Sequence, residues 1–146
     1  MAHPRMYDED DPLLARVRAM CLGYPEAGER ESHGRPHFVA GRRVFAQYGI
    51  AGEDDLRLVV HPDDGDREAL LQHPRASVPP YVGPAGWLGF DLREADDLPP
   101  VDWEEMAELV DDSYRRVALV RMLRALDGAL DGAGPDGAGQ GAPPSG

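Results

Sequence analysis

The chain contains no Lys, no Asn and no Thr, and it has one Cys, at position 21. Each absence removes a class of chemistry. Without a lysine amine there is no P-loop, no Schiff base and no pyridoxal enzyme. A lone Cys21 forms no internal disulfide and supports no Cys-rich zinc site. No apolar run reaches the roughly 18 residues of a membrane span, and Met1 to Asp11 is polar, without the apolar centre of a secretion signal. These features predict a soluble, cytoplasmic protein. The joint lack of Lys, Asn and Thr is read as genomic base composition, so the exclusive use of Arg carries no functional weight by itself.

What is present is acid. In 146 residues, 27 Asp and Glu face 15 Arg, for a net charge of −12. Such a balance argues against a generic nucleic-acid binder, whose affinity comes from cations that displace counterions. One segment runs the other way: residues 30–50 carry four Arg against one Glu.

The length suits one domain with a true core. Gly128 to Gly146 holds seven Gly, four Ala and three Pro, a composition expected to stay disordered. Residues 1–9 are expected to be loose, which leaves a domain over 10–127. Within it, Leu13, Leu14, Val17, Met20 and Cys21 fall at helical spacing behind Asp11 and Pro12, a cap and a first-turn residue. Phe38-Val39-Ala40 and Val44 to Tyr48 read as a hairpin around Gly41-Arg42. Leu56 to Val60 is a third strand, and Asp63 or Asp64 starts a short helix to about Gln72. Ser77 to Val82 is extended, confined to an edge by Pro79 and Pro80, and Trp87 to Leu92 is a fifth strand. A last helix starts at Asp102, with Glu105 in a capping-box position, and carries its apolar stripe to about Leu126. The order α-β-β-β-α-β-β-α predicts an α+β fold: two layers, an antiparallel sheet of about five strands, and helices on one face.

These residues also carry a resemblance. Tyr24-Pro25-Glu26-Ala27, His33-Gly34-Arg35-Pro36-His37-Phe38, Val78 to Pro84 with Gly86-Trp87, and Asp102-Trp103 with Ser113-Tyr114-Arg115 and Val117-Ala118 are similar to the MmcQ/YjbR family. The resemblance covers most of residues 12–118. It implies a small α+β domain with a double-wing surface and a presumed role in binding DNA; the sequence shows no convergent polar groups, so no enzymatic activity is expected. Where members usually place basic residues near the first hairpin turn, this chain has Arg42 and Arg43. Where many end the last helix with Pro, Leu119 through Leu126 are predicted to continue it.

Arg35, Arg42 and Arg43 are therefore the nucleic-acid candidates, able to set guanidinium groups on the phosphates of double-stranded DNA with weak, salt-dependent affinity. The competing reading pairs them with Glu53, Asp54 and Asp55. The alternative function is a binding module for a small planar ligand or a protein partner. Its ligand candidates are His33, Tyr81 and Trp87. Tyr81, Trp87 and Phe90 form a stacking platform on this view, against the competing placement of Trp87 beneath the helices. A protein partner would use an apolar strip over 117–126. No metal or cofactor is expected: His33 and His37, in an extended strand, stand roughly 13 Å apart. Catalysis has no motif, since none of the serines sits in a nucleophile elbow and Cys21 lies on an apolar helix stripe.

Overall fold

The computed structural model describes residues 5–51 and 54–132. Helix α1 spans Pro12–Cys21. Four strands follow: β1 (Ala27–Ser32), β2 (Arg35–Ala40), β3 (Arg43–Tyr48) and β4 (Arg57–Val60). Helix α2 (Asp64–Leu70), the two-residue β5 (Ala76–Ser77), a 3-10 turn at Gly83–Ala85 and β6 (Leu88–Asp91) lead to α3 (Trp103–Val117) and α4 (Val120–Gly132). The strands form one antiparallel sheet in the order β1-β2-β3-β4-β6-β5. The α+β class and antiparallel sheet are as read from the sequence. The sheet has six strands rather than about five, because β1 was not foreseen.

Period-2 alternation assigns the two faces of this sheet. Phe38, Ala46, Val60 and Leu88 form one cross-strand row in the hydrophobic core. A bulge between Phe38 and Val39 in the β2–β3 register lets Phe45 and Ala46 both face that core. Against it pack Leu14, Val17 and Cys21 of α1 and Met106, Val110 and Tyr114 of α3. The next row, His37, Gln47, Val59 and Gly89, points to the opposite face.

Local chemistry explains most element ends. Asp11 accepts from Leu13 N at 2.9 Å, with Pro12 at the first helical position, so α1 begins as expected. The Tyr48 hydroxyl donates to the same carboxylate, tying β3 to the start of α1. The β1–β2 turn has positive φ at both His33 (54°) and Gly34 (78°), as a type I′ turn requires. Asp102 accepts from the N–H groups of Glu104 and Glu105 at 3.1 Å each. Glu105 does not close the expected capping box; its carboxylate takes the Nε2 hydrogen of His73 at 2.9 Å instead.

Three expectations are corrected. The last helix does not run unbroken to Leu126: Ala118 is extended (ψ 143°), and α4 restarts at Val120. The break lets Met122, 1% exposed, reach the β2–β3 turn at Gly41, while Arg121 forms a two-pronged pair with Glu26 at 2.8 Å. Helix α4 then passes Asp127 and continues to Gly132, where a disordered tail was expected from Gly128; residues 133–146 lie outside the described part. Nor is the segment before Asp11 loose from Arg5 onward. Met6 N donates to Gly34 O, Tyr7 to Glu31, and Arg18 of α1 grips both Glu9 and Glu29. Residues 1–4 are not described. Among the described residues no helix is long and apolar enough to cross a membrane.

Two polar contacts hold layers together. The Ser113 hydroxyl, fully buried on α3, donates to Phe45 O at 2.5 Å and accepts from His61 N at 3.0 Å. Asp55 accepts from Ile50 N, Ala51 N and both Arg57 Nε and Nη2 within 2.8 Å. Burial alone would raise the Asp55 pKa, but the Arg57 guanidinium and the two N–H groups outweigh it and hold it at about 2. Ser113→Ala orphans two buried backbone groups and is expected to cost about 2–3 kcal/mol in urea unfolding. Because the folded Asp55 pKa is depressed below the usual 3.8, its contribution is complete above about pH 4 and fades as pH falls toward 2. Urea unfolding over pH 2–5 should show about 2 kcal/mol lost over that range, a component absent in Asp55→Asn.

Candidate functional site

The β2–β3 turn is built on Gly41, whose φ of +61° provides the left-handed conformation that a two-residue turn with Arg42 needs. Arg42 and Arg43 are exposed. Neither makes an ion pair or side-chain hydrogen bond with any other described residue. Beside the turn lies a groove of about 410 Å³, lined by Arg43, Val44, His61, Ala85, Trp87, Arg116 and Val117. His61 organises it. The ring stands edge-on to Trp87, 5.2 Å between centroids. Its Nε2 donates to Ala85 O at 2.9 Å, which leaves Nδ1 as acceptor for Arg116 Nε at 3.1 Å. Arg116 also meets Asp63 at 3.0 Å, which explains why Asp63 sits at the start of α2 without capping it. The result is two guanidinium groups and one half-buried indole around a single depression.

A second cavity, about 420 Å³, opens on the sheet face away from the helices. The cross-strand pair His37 and Gln47 lines it, 9% and 6% exposed. Ser32 and His33 of the β1–β2 turn, Arg35, Ile50, Tyr81 and Val82 complete it. His37 Nδ1 donates to Arg35 O at 3.1 Å. Burial, with Arg30 and His33 nearby, pushes the His37 pKa down, so the ring is neutral at pH 7.

The nucleic-acid trio is therefore split. Arg42 and Arg43 stand together on the exposed turn, but Arg35 is 2% exposed and is no phosphate ligand. Its parity explains this: in β2, Arg35, His37 and Val39 share the face opposite Phe38 and Ala40, and the chain after β3 closes over it. Arg35 Nη2 donates to Ala51 O, and a Cβ on Gly49 would sit 2.6 Å from Arg35 Nη1. The proposed pairing of the turn arginines with acids is not seen for Asp55, which is committed to Arg57; Glu53 lies outside the described residues. The ligand trio is split as well. His33 and Tyr81 line the second cavity, while Trp87 lines the groove and Phe90 is wholly buried, so the three aromatics form no shared platform. Leu119 and Val120 are exposed, at 49% and 62%, but Met122 beside them is core.

Sequence reasoning missed His61, Arg116 and Gln47, and weighed His37 only as a metal ligand. Alternation through β2 and β3 was the available signal for the last two. His61 and Arg116 meet across 55 residues, a proximity that only the α3–sheet packing creates. Among the described residues no three His, Cys, Asp or Glu side chains converge as a metal site. Burial raises the Cys21 thiol pKa far above its usual value.

Arg35→Ala should cost about 3 kcal/mol of stability through the void it leaves. Arg42→Ala with Arg43→Ala should stay within about 0.5 kcal/mol of the parent. Thermal melts of the two variants would reveal the contrast.

The protein-family profile described as YjbR matches residues 22–116. No curated protein and no solved structure matches the chain significantly.

Proposed function

The chain belongs to the YjbR family, and from that premise we propose that it is a cytoplasmic, non-enzymatic protein that binds the nucleic-acid backbone at its β2–β3 end. The observation that carries this reading is the adjacent, exposed pair Arg42 and Arg43, which no carboxylate among the described residues neutralises, in a chain of net charge −12. Arg116, paired with Asp63, and the half-buried Trp87 line the groove beside the turn. A binding role rather than a catalytic one is supported by the state of two possible nucleophiles. The Ser113 hydroxyl is buried and spent on two backbone groups, and Cys21 is buried as a neutral thiol.

Two cations, unpaired among the described residues, set the affinity. Counterion release gives a salt slope of about −1.8 for two duplex phosphate contacts. Binding should therefore weaken roughly 40-fold between about 20 and 150 mM salt. Fluorescence anisotropy of a labelled, mixed-sequence duplex at those two salt concentrations tests this, with the Arg42→Ala/Arg43→Ala variant alongside. Binding at low salt that the folded variant loses supports the reading. No binding at low salt, or equal binding by the variant, removes it.

A further inference from the structure

We infer that the cavity on the sheet face away from the helices is a binding site for a free planar heterocycle of the nucleobase kind, held edge-on by His37 and Gln47. The site is distinct from the β2–β3 turn. It opens beside the β1–β2 turn, and its floor residue His37 stands four residues, about 13 Å, along β2 from Gly41 of the other turn.

The floor chemistry defines the ligand. His37 and Gln47 face each other directly across β2 and β3, so their side chains start about 5 Å apart. Both are at least nine-tenths buried. His37 spends its Nδ1 hydrogen on Arg35 O, which leaves Nε2 as a bare acceptor with no partner among the described residues. The Gln47 amide, one donor and one acceptor group, has no partner among them either. No group among the described residues takes these atoms, and both residues line the cavity, so they can bond whatever occupies it. The edge that complements them carries an N–H for His37 and an adjacent donor–acceptor pair for the amide. Adenine meets this need at its amino group: one N6–H serves His37, while the other, with N7, pairs with the amide in two parallel hydrogen bonds.

The walls agree. Ile50 and Val82 are apolar, and Tyr81 stands at the rim, 86% exposed. Its backbone is held at φ +67° while Val82 N donates to Pro80 O at 2.7 Å. That is a γ-turn of the strained, positive-φ kind, a conformation disfavoured for a tyrosine and retained where a site depends on it. A ring in this position can close over a flat ligand. The volume, about 420 Å³, lies in the range of small-molecule sites.

Calorimetric titration with adenine, and 1H–15N spectra of the same samples, test the assignment on the full chain. The expected result is saturable binding with a shift of the Gln47 side-chain amide signals. Gln47→Leu keeps the shape, removes no protein hydrogen bond, and should weaken adenine binding at least roughly tenfold with the melting temperature preserved. Tyr81→Gly should raise the melting temperature, by releasing the strained turn, while weakening adenine. The Arg42→Ala/Arg43→Ala variant should bind adenine like the parent, which separates this site from the nucleic-acid reading. Absence of binding for adenine, guanine, cytosine and uracil at millimolar concentration overturns the proposal, as does undiminished adenine affinity in a folded Gln47→Leu variant.

Discussion

The fold turns on the hydroxyl of Ser113. Strands β3 and β4 stop exchanging backbone hydrogen bonds beyond the Ala46 and Val60 pair, and there the Ser113 side chain enters from α3 to take Phe45 O and His61 N. A buried N–H and a buried carbonyl that would otherwise be orphaned are satisfied by one atom. The same contact sets the height and rotation of α3 on the sheet. Tyr114, the next residue, then reaches Pro25 O at 2.7 Å and stacks on Tyr24. Arg116, three residues on, is carried to His61. Because His61 begins the segment that Ser113 captures, the groove beside the β2–β3 turn is a direct product of that hydroxyl. An alanine there would leave the apolar core nearly intact and still deprive the groove of its fixed wall.

A second constraint governs the other face. The chain leaves β3 through Gly49, at φ +76°, where a Cβ would lie 2.4 Å from Asp55 O. That position tolerates no side chain, and the tightness brings Asp55 back under Ile50 and Ala51. Arg35 is enclosed in the same corner. The one basic segment of an acidic sequence thus serves two unlike purposes. One arginine builds the interior of a loop, and two stand in solvent at the far end of the same hairpin. Arg75 shows a similar interior use, donating to Asp91 O, Arg93 O and Pro99 O, which organises the approach to α3 without any carboxylate.

Local signals were legible where they depend on neighbours in sequence. The start of α1 at Asp11-Pro12, the β2–β3 turn at Gly41, strand β4 and the Asp102 cap all follow from residue types at short spacing. What escaped depends on partners far along the chain. Strand β1, Ala27–Ser32, has no β-branched or aromatic residue and exists because β2 offers it an edge; its polar character suits an outer strand. The break at Ala118 and Leu119 has no Gly or Pro to announce it. It is imposed by Met122 burying against Gly41 and by Arg121 meeting Glu26, contacts over 80 and more residues. Arg35 was misplaced for a different reason. Charge suggested exposure, whereas strand parity, equally visible in the sequence, put Arg35 on the face of His37 and Val39.

The consequence for the candidate sites is a separation by chemistry. An acidic protein repels polyanions at long range, so contact with a phosphate backbone depends on a short reach of cations projecting beyond the carboxylates. A tight turn does that, since Gly41 allows Arg42 and Arg43 to leave the sheet together. A neutral ligand feels no such repulsion, and the opposite cavity offers one a neutral imidazole, an amide and a rim tyrosine beside the enclosed Arg35. The sheet keeps the two apart because the helices cover only one of its faces. The turn lies at one end of β2, and the cavity at the other end, on the face that the helices leave uncovered.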